Sequence, residues 1–150
     1  MMQPLRILLV EDTALVRMCM AASFREEGHI VHEASNGVQA LDALRTQHFD
    51  AVVMDLMMPV MDGMEATRQL RSDPVLQSLP VFAYSGMYRG ANFDPSLFTA
   101  LLPKPMAPTD VLAAIGRHIV PIRSNEVRAE PSAPPPPEHA RECLSSSRSR

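Results

Sequence analysis

Residues 1–120 alternate short apolar runs with stretches whose apolar positions recur at helical spacing, the pattern of an α/β domain. Arg6 to Val10 reads as a first strand. Thr13 is placed to cap a helix running to about Glu27, and Gly28 supplies its stop. Within that helix Leu15, Cys19 and Ala22, with Val16, Met20 and Phe24 beside them, make a stripe predicted to lie on the sheet. Ile30 to Ala34 is a second strand, and Asn36-Gly37 turns the chain into a helix carrying Ala40, Leu41 and Leu44. Ala51 to Asp55 is a third strand, apolar without alternation, as expected of a strand buried on both faces. A helix from about Gly63 to Ser72 closes at Asp73-Pro74.

Val81 to Tyr84 is a fourth strand ending at Ser85, and Ala100 to Leu102 a short fifth ending at Lys104-Pro105. The last helix covers about Pro108 to Val120, with Val111, Leu112, Ile115 and Ile119 facing inward. Between Ser85 and Ala100 the periodicity fails. Gly86, Gly90, Asn92 and Pro95 interrupt it, and only Asp94 to Phe98 looks like a capped turn, so a loop with one or two helical turns is expected there. Right-handed crossovers place helices on both faces of a five-stranded parallel sheet.

Composition bounds this picture. A chain of 150 residues with 46% hydrophobic content suits one ordinary domain. From Pro121 to Arg150 the sequence turns rich in Pro, Ser, Arg and Glu, with Pro134 to Pro137 in a row, and reads as a disordered tail with no effector domain. A docking peptide or a basic Ser-Arg nucleic-acid tail is the sharper alternative, diluted by charges of both signs. A formal charge of -3 argues against nonspecific nucleic-acid binding. Cys19 and Cys143 show no zinc or redox spacing, which fits a reduced, cytoplasmic setting. The N-terminus carries no signal-peptide core, and no apolar stretch approaches the roughly 18 residues of a membrane span.

The chemistry lies where the strands end. Glu11 and Asp12 close the first strand, Asp55 the third, Ser85 the fourth and Lys104 the fifth, so a parallel sheet gathers them at one crevice. Taken singly, each has a plain reading: Asp55 as a cap, Glu11-Asp12 as a helix start, Ser85-Gly86 as a turn, Lys104 as a surface charge. Taken together, three carboxylates repel, a pair 4 Å apart by up to about 4 kcal/mol at an effective dielectric near 20. A divalent cation among them removes that cost, and hard oxygen ligands suit Mg²⁺. Lys104 then adds a second positive charge and Ser85 a hydroxyl donor. Phosphoryl transfer relies mainly on positioning and charge neutralisation, so this set suffices for a carboxylate nucleophile, with Asp55 as the acceptor.

The stretches Leu8-Leu-Val-Glu-Asp12, Ala34-Ser-Asn-Gly37, Asp55-Leu-Met-Met-Pro59 with Met61-Asp-Gly63, Ser85-Gly86 and Lys104-Pro105 stand in an order that resembles the receiver domain of two-component response regulators, over roughly residues 5–120. The resemblance implies a doubly wound, flavodoxin-like sheet of strand order 2-1-3-4-5. It implies phosphorylation of Asp55 by a histidine kinase or histidine phosphotransfer protein. It implies Mg²⁺ held by Asp12, Asp55 and the backbone carbonyl of Met57, with Glu11 assisting through water, while Ser85 and Lys104 bind the phosphoryl oxygens. A cis Lys104-Pro105 bond belongs to the same expectation.

Three departures stand out. Leu101 occupies the place of the aromatic that swings inward in typical receivers, Leu97-Phe98 replaces a Gly-Ala pair, and the helix between the fourth and fifth strands is shortened or loop-like. The output expected instead is ordering of the Gly86 to Phe98 loop, with Tyr84 or Tyr88 changing exposure. Met54, Met57, Met58, Met61 and Met64 read as adaptable packing, the alternative being that Met57 and Met87 restrict the attacking water. The five histidines form no ligand set, and His48 and His118 are expected at the surface. The leading function is a single-domain signalling module with a downstream protein partner and self-catalysed phosphotransfer and autodephosphorylation only. The alternatives are a degenerate receiver acting as a phosphorylation-independent platform, and a Mg²⁺-dependent phosphoester hydrolase. The last is disfavoured because Met57 stands where a general acid is needed.

Overall fold

The computed structural model describes residues 3–86 and 93–119. The elements run β1 (Arg6–Val10), α1 (Ala14–Glu26), β2 (Ile30–Ala34), α2 (Gly37–Thr46), β3 (Ala51–Asp55), α3 (Gly63–Ser72), β4 (Val81–Ser85), a 3-10 turn (Pro95–Leu97), β5 (Ala100–Pro103) and α4 (Pro108–His118). All strand pairs are parallel, in the order β2-β1-β3-β4-β5. Val10 stands beside Ala34 and Met54, Asp55 beside Tyr84, and Ser85 beside Pro103, so the carboxyl ends share one edge. This is the flavodoxin-like doubly wound sheet.

Alternation along the strands feeds two cores. Ile7, Leu9, Val53 and Phe82 pack with Phe24 of α1 and Ile115 of α4 on one face. Leu8, Val52, Met54 and Ala83 pack with Leu44 of α2 and Leu70 of α3 on the other. β3, central in the sheet, is buried at all five positions. Truncating a side chain such as Phe24 or Phe82, both fully buried, would cost about 3–5 kcal/mol.

Helix α1 corrects the sequence reading at two points. Met20 and Phe24 face the sheet as expected, joined by Ala21, but Val16 of the same row is 38% exposed. Leu15, however, is 72% exposed, and Cys19 and Ala22 also face outward. That second row lies about 100° round the helix from the first, so spacing alone cannot choose which row is buried. Thr13 occupies the N-cap position, but its side chain makes no capping bond. At the other end Gly28, with φ +93°, lets its own N–H reach Arg25 O and that of His29 reach Phe24 O, the paired bonds of a left-handed helix stop. His29, unremarked in the sequence, is buried and accepts the Leu5 N–H at Nδ1 (3.0 Å). His48 and His118 are exposed, the latter edge-on to the Phe82 ring.

Among the described residues the β4–β5 connection carries only the 3-10 turn, capped by Asp94 Oδ1 accepting from Ser96 N–H at 3.0 Å. Phe98 buries against the α2–α3 face. Arg71, at the end of α3, fastens the turn: its Nε donates to Leu97 O (2.8 Å), and Nη1 to Gln77 O (3.1 Å) and Leu79 O (2.7 Å). β5 extends to Pro103, one residue past expectation, and α4 ends at His118. The expectations for Met87, Tyr88, Cys143 and the tail at 121–150 fall outside the described residues.

Candidate functional site

The crevice is built by three strand ends and the turn after β5. Glu11 N–H donates to Ala34 O (3.0 Å), which carries the β1–β2 ladder one residue beyond β1 before the chain turns into α1. Its carboxylate braces the chain just before α1, with Oε1 accepting the N–H of Thr13 itself at 3.2 Å. The other oxygen, Oε2, takes Lys104 Nζ at 2.8 Å. Glu11 is only 1% exposed, so this ammonium is what keeps its charge compensated.

Asp55 ends β3 at 2% exposure. Its Oδ1 accepts the Met57 N–H at 3.1 Å, and Oδ2 lies 3.2 Å from Lys104 Nζ. The capping reading of Asp55 therefore holds, but it occupies one oxygen only. Burial, reinforced by the Glu11 charge, pushes the carboxyl up to about 6, against the lowering pull of the Met57 N–H and Lys104. Burial alone would lower the Lys104 ammonium. Its hydrogen bonds and charge contacts with Glu11 and Asp55 outweigh that and hold it above its ordinary value.

Gly63 fixes the loop behind Asp55: a Cβ there would overlap the Asp55 carbonyl oxygen. The same loop turns at Val60, whose φ of +73° is strained for a β-branched residue and is closed by Met61 N–H to Pro59 O at 2.9 Å. Met54, Met58 and Met64 are buried packing residues, as read from the sequence, whereas Met57 is exposed above the edge. The Lys104-Pro105 bond is cis, and Lys104 N–H donates to Ser85 O (3.1 Å), which ties the β5 turn to the end of β4. Lys104 Nζ also stands 5.0 Å from the Tyr84 ring centroid, a cation–π contact with a residue that sequence reading treated as a possible output element.

Carboxylate oxygens of Glu11, Asp12 and Asp55 all lie within 4.8 Å of one another, with Asp12 exposed at the mouth. Three acids face one lysine, and all donors are hard oxygens, a set that fits a small divalent cation. Ser85 Oγ is buried and has no hydrogen-bond partner among the described residues. It borders a cleft of about 270 Å³ lined also by Leu56, Ala83, Phe93, Leu101 and Leu102. The structure thus brings Glu11, Asp12, Asp55 and Lys104 together directly and leaves Ser85 beside them with an unmet donor. Chemically, the crevice offers a buried carboxylate nucleophile, an ammonium paired to it, a cation pocket and a hydroxyl without a partner among the described residues.

Comparison with known proteins agrees with this geometry. The profile of the response regulator receiver domain matches residues 7–116. Response regulator MprA of Mycobacterium sp. (strain KMS) is 40% identical over 114 residues, covering 73% of this chain and 48% of the relative. The chain therefore spans about half the length of these curated relatives. The receiver domain of sensor histidine kinase PA1611 from Pseudomonas aeruginosa PAO1, solved with a magnesium ion coordinated in its active-site cleft, superposes with a TM-score of 0.66 at 28% identity, over 77% of this chain and 97% of that one. Chemotaxis response regulator CheY4 of Vibrio cholerae shares the fold, with a TM-score of 0.69 at 23% identity, over 78% of this chain and 100% of its own. With the profile spanning most of its length and the acidic strand ends assembled as described, the chain belongs to the response regulator receiver domains of two-component systems.

Proposed function

We propose that this receiver takes a phosphoryl group on Asp55 from the phosphohistidine of a histidine kinase or histidine phosphotransfer protein, and that the phosphorylated face then binds or releases a downstream protein. The observation that carries this reading is the buried Asp55 carboxylate, bridged through Lys104 to Glu11 beside the free Asp12. In the step itself Asp55 Oδ2 attacks phosphorus, the phosphorus–nitrogen bond breaks and the imidazole leaves. Lys104 Nζ, 3.2 Å from that oxygen, follows the negative charge onto a phosphoryl oxygen. Ser85 Oγ, buried without a partner among the described residues, donates to another.

Asp12, Asp55 and the Met57 carbonyl would hold Mg²⁺, with Glu11 assisting through water. The ion, when bound, neutralises charge on the phosphoryl oxygens and the acids. Support comes from the oxygen-only donor set and from the PA1611 receiver, described with magnesium in its cleft. Residues 1–120 are assigned to the receiver, with output through protein contacts and not nucleic acid. A cytoplasmic location goes with this reading; among the described residues no helix is long and apolar enough to cross a membrane.

Incubation with Mg²⁺ and a small acyl-phosphate donor, followed by intact-mass measurement, tests the proposal. A single phosphoryl adduct is expected, lost in Asp55→Asn. A folded protein that takes no adduct would instead be a phosphorylation-independent platform, a reading favoured by the absence of an aromatic at Leu101. Turnover of unrelated phosphoesters would point to the hydrolase.

A further inference from the structure

We propose that Arg17 is a positioning residue that aims the Asp12 carboxylate into the cation pocket; this rests on the metal site proposed above. Asp12 is the one acid of the three whose carboxylate has no hydrogen bond or ion pair among the described residues. Its direction is therefore set by the peptide that precedes it. Glu11, the residue that begins it, is held at both of its main-chain polar groups. Glu11 N–H is bound by Ala34 O at 3.0 Å, and Glu11 O accepts Arg17 Nη1 at 2.7 Å.

The guanidinium is itself aligned. Arg17 Nε lies 3.5 Å from Glu33 Oε1 on β2, and Glu33 Oε2 is gripped by Arg25 Nη1 at 3.3 Å and Nη2 at 3.2 Å. Arg25 is in turn anchored on Val31 O at 3.0 Å. The Arg17 side chain is mostly buried, and only a planar fork can serve the Glu11 carbonyl and the Glu33 carboxylate together. A bare positive charge here would only repel a cation. Charge and geometry thus predict opposite effects when Arg17 is removed.

Calorimetric titration with Mg²⁺ distinguishes them. Arg17→Met should weaken Mg²⁺ binding about tenfold, as loss of an outer-shell partner does. Arg17→Lys, which keeps the charge but not the planar fork, should recover part of the loss, and Glu33→Gln should weaken binding in the same direction but less. Arg17→Met binding Mg²⁺ as tightly as the wild type, or more tightly, overturns the proposal and leaves Arg17 a repelling charge.

Amide exchange in the metal-free proteins reads the same role without the ion. The Thr13 N–H, bound to Glu11 Oε1, should exchange faster in Arg17→Met while amides of β3 and β4 do not change. If the wild type takes up no Mg²⁺, the metal assignment fails by itself and this exchange decides Arg17. Unchanged protection at Thr13 would then dismiss it.

Discussion

The two walls of the crevice differ in how far their polar groups are already satisfied. On the β1–β3 side, Glu11, Asp55 and Lys104 form a closed set: each buried carboxylate uses one oxygen on a backbone N–H and the other on the ammonium. On the β4–β5 side, Ser85 Oγ is buried with no partner among the described residues, and Leu101 beside it is 50% exposed. An unmet buried hydroxyl costs about 1–3 kcal/mol, which is recovered when an acceptor arrives. The first wall is thus organised before any ligand binds. The second holds a free-energy difference that a phosphoryl oxygen could release, which is what a two-state output needs.

The largest expected effect breaks the closed wall. In Lys104→Met the carboxylates of Glu11 and Asp55 lose their shared cation, and about 3 kcal/mol of stability should go in metal-free buffer at neutral pH, the range for stranding buried charge. Urea unfolding measures it. Mg²⁺ at 100 times its Kd adds about 2.7 kcal/mol and should bring the variant close to the stability of the metal-free wild type. A variant as stable as wild type without metal would mean that Lys104 does not organise this wall.

On the open side the chain depends on Arg71. Its guanidinium, part-buried and so lowered in pKa, donates to the main-chain carbonyls of Leu97, Gln77 and Leu79, tying the turn before β5 to the end of α3. Arg71→Ala should cost about 2 kcal/mol, by the worth of charge-assisted hydrogen bonds. Amide exchange over residues 94–99 should rise more than exchange in β1 or β3. Uniform acceleration across the sheet would show instead that Arg71 supports the whole fold.

What could be read in advance divides along similar lines. The strand ends were legible because a buried parallel strand must be continuously apolar, which makes a carboxylate closing Val52-Val53-Met54 conspicuous. The turn at Pro95–Leu97 followed from local chemistry, whereas the cis Lys104-Pro105 bond came only from the family resemblance. What escaped depends on contacts between elements. Arg17 and Arg71 look like ordinary helix-surface cations until β2 supplies Glu33 and the β4–β5 connection supplies Leu97 O. The outward turn of Leu15 and Cys19 escaped because α1 carries two apolar rows and only the sheet chooses between them. His29 gave no signal because its role is to accept one backbone N–H.

That histidine sets the baseline for any acid experiment on the crevice. Burial lowers His29 against the raising effect of Glu27, and Nδ1 must stay unprotonated to accept the Leu5 N–H. With the folded pKa below 6.5, the unfolded chain binds the extra proton first. Stability from this group is therefore complete above pH 6.5 and is lost as pH falls through the window beneath it. In His29→Asn, which keeps an oxygen acceptor but does not titrate, the loss across that window should shrink in pH-dependent urea melts. An identical acid profile would move the cause back to the crevice.

The smallest effect on stability should be the most informative about the open wall. Leu101 is 50% exposed, and the protein contains no tryptophan, so Leu101→Trp places a single indole at the mouth of the cleft. A half-exposed site should change stability by no more than about 0.5 kcal/mol. Before phosphorylation the ring faces a cleft that contains the unmet Ser85 hydroxyl. Once that hydroxyl turns to a phosphoryl oxygen, the remaining lining from Leu56, Ala83 and Leu102 is apolar, and the indole gains by moving in. Indole emission should then shift to the blue, and acrylamide quenching should fall, when Mg²⁺ and beryllofluoride are added. The Ser85→Ala background should abolish the change, because without the hydroxyl the cleft is apolar in both states. Emission that ignores the phosphate mimic while Asp55 is occupied would separate the open wall from the chemistry and place the output on another face.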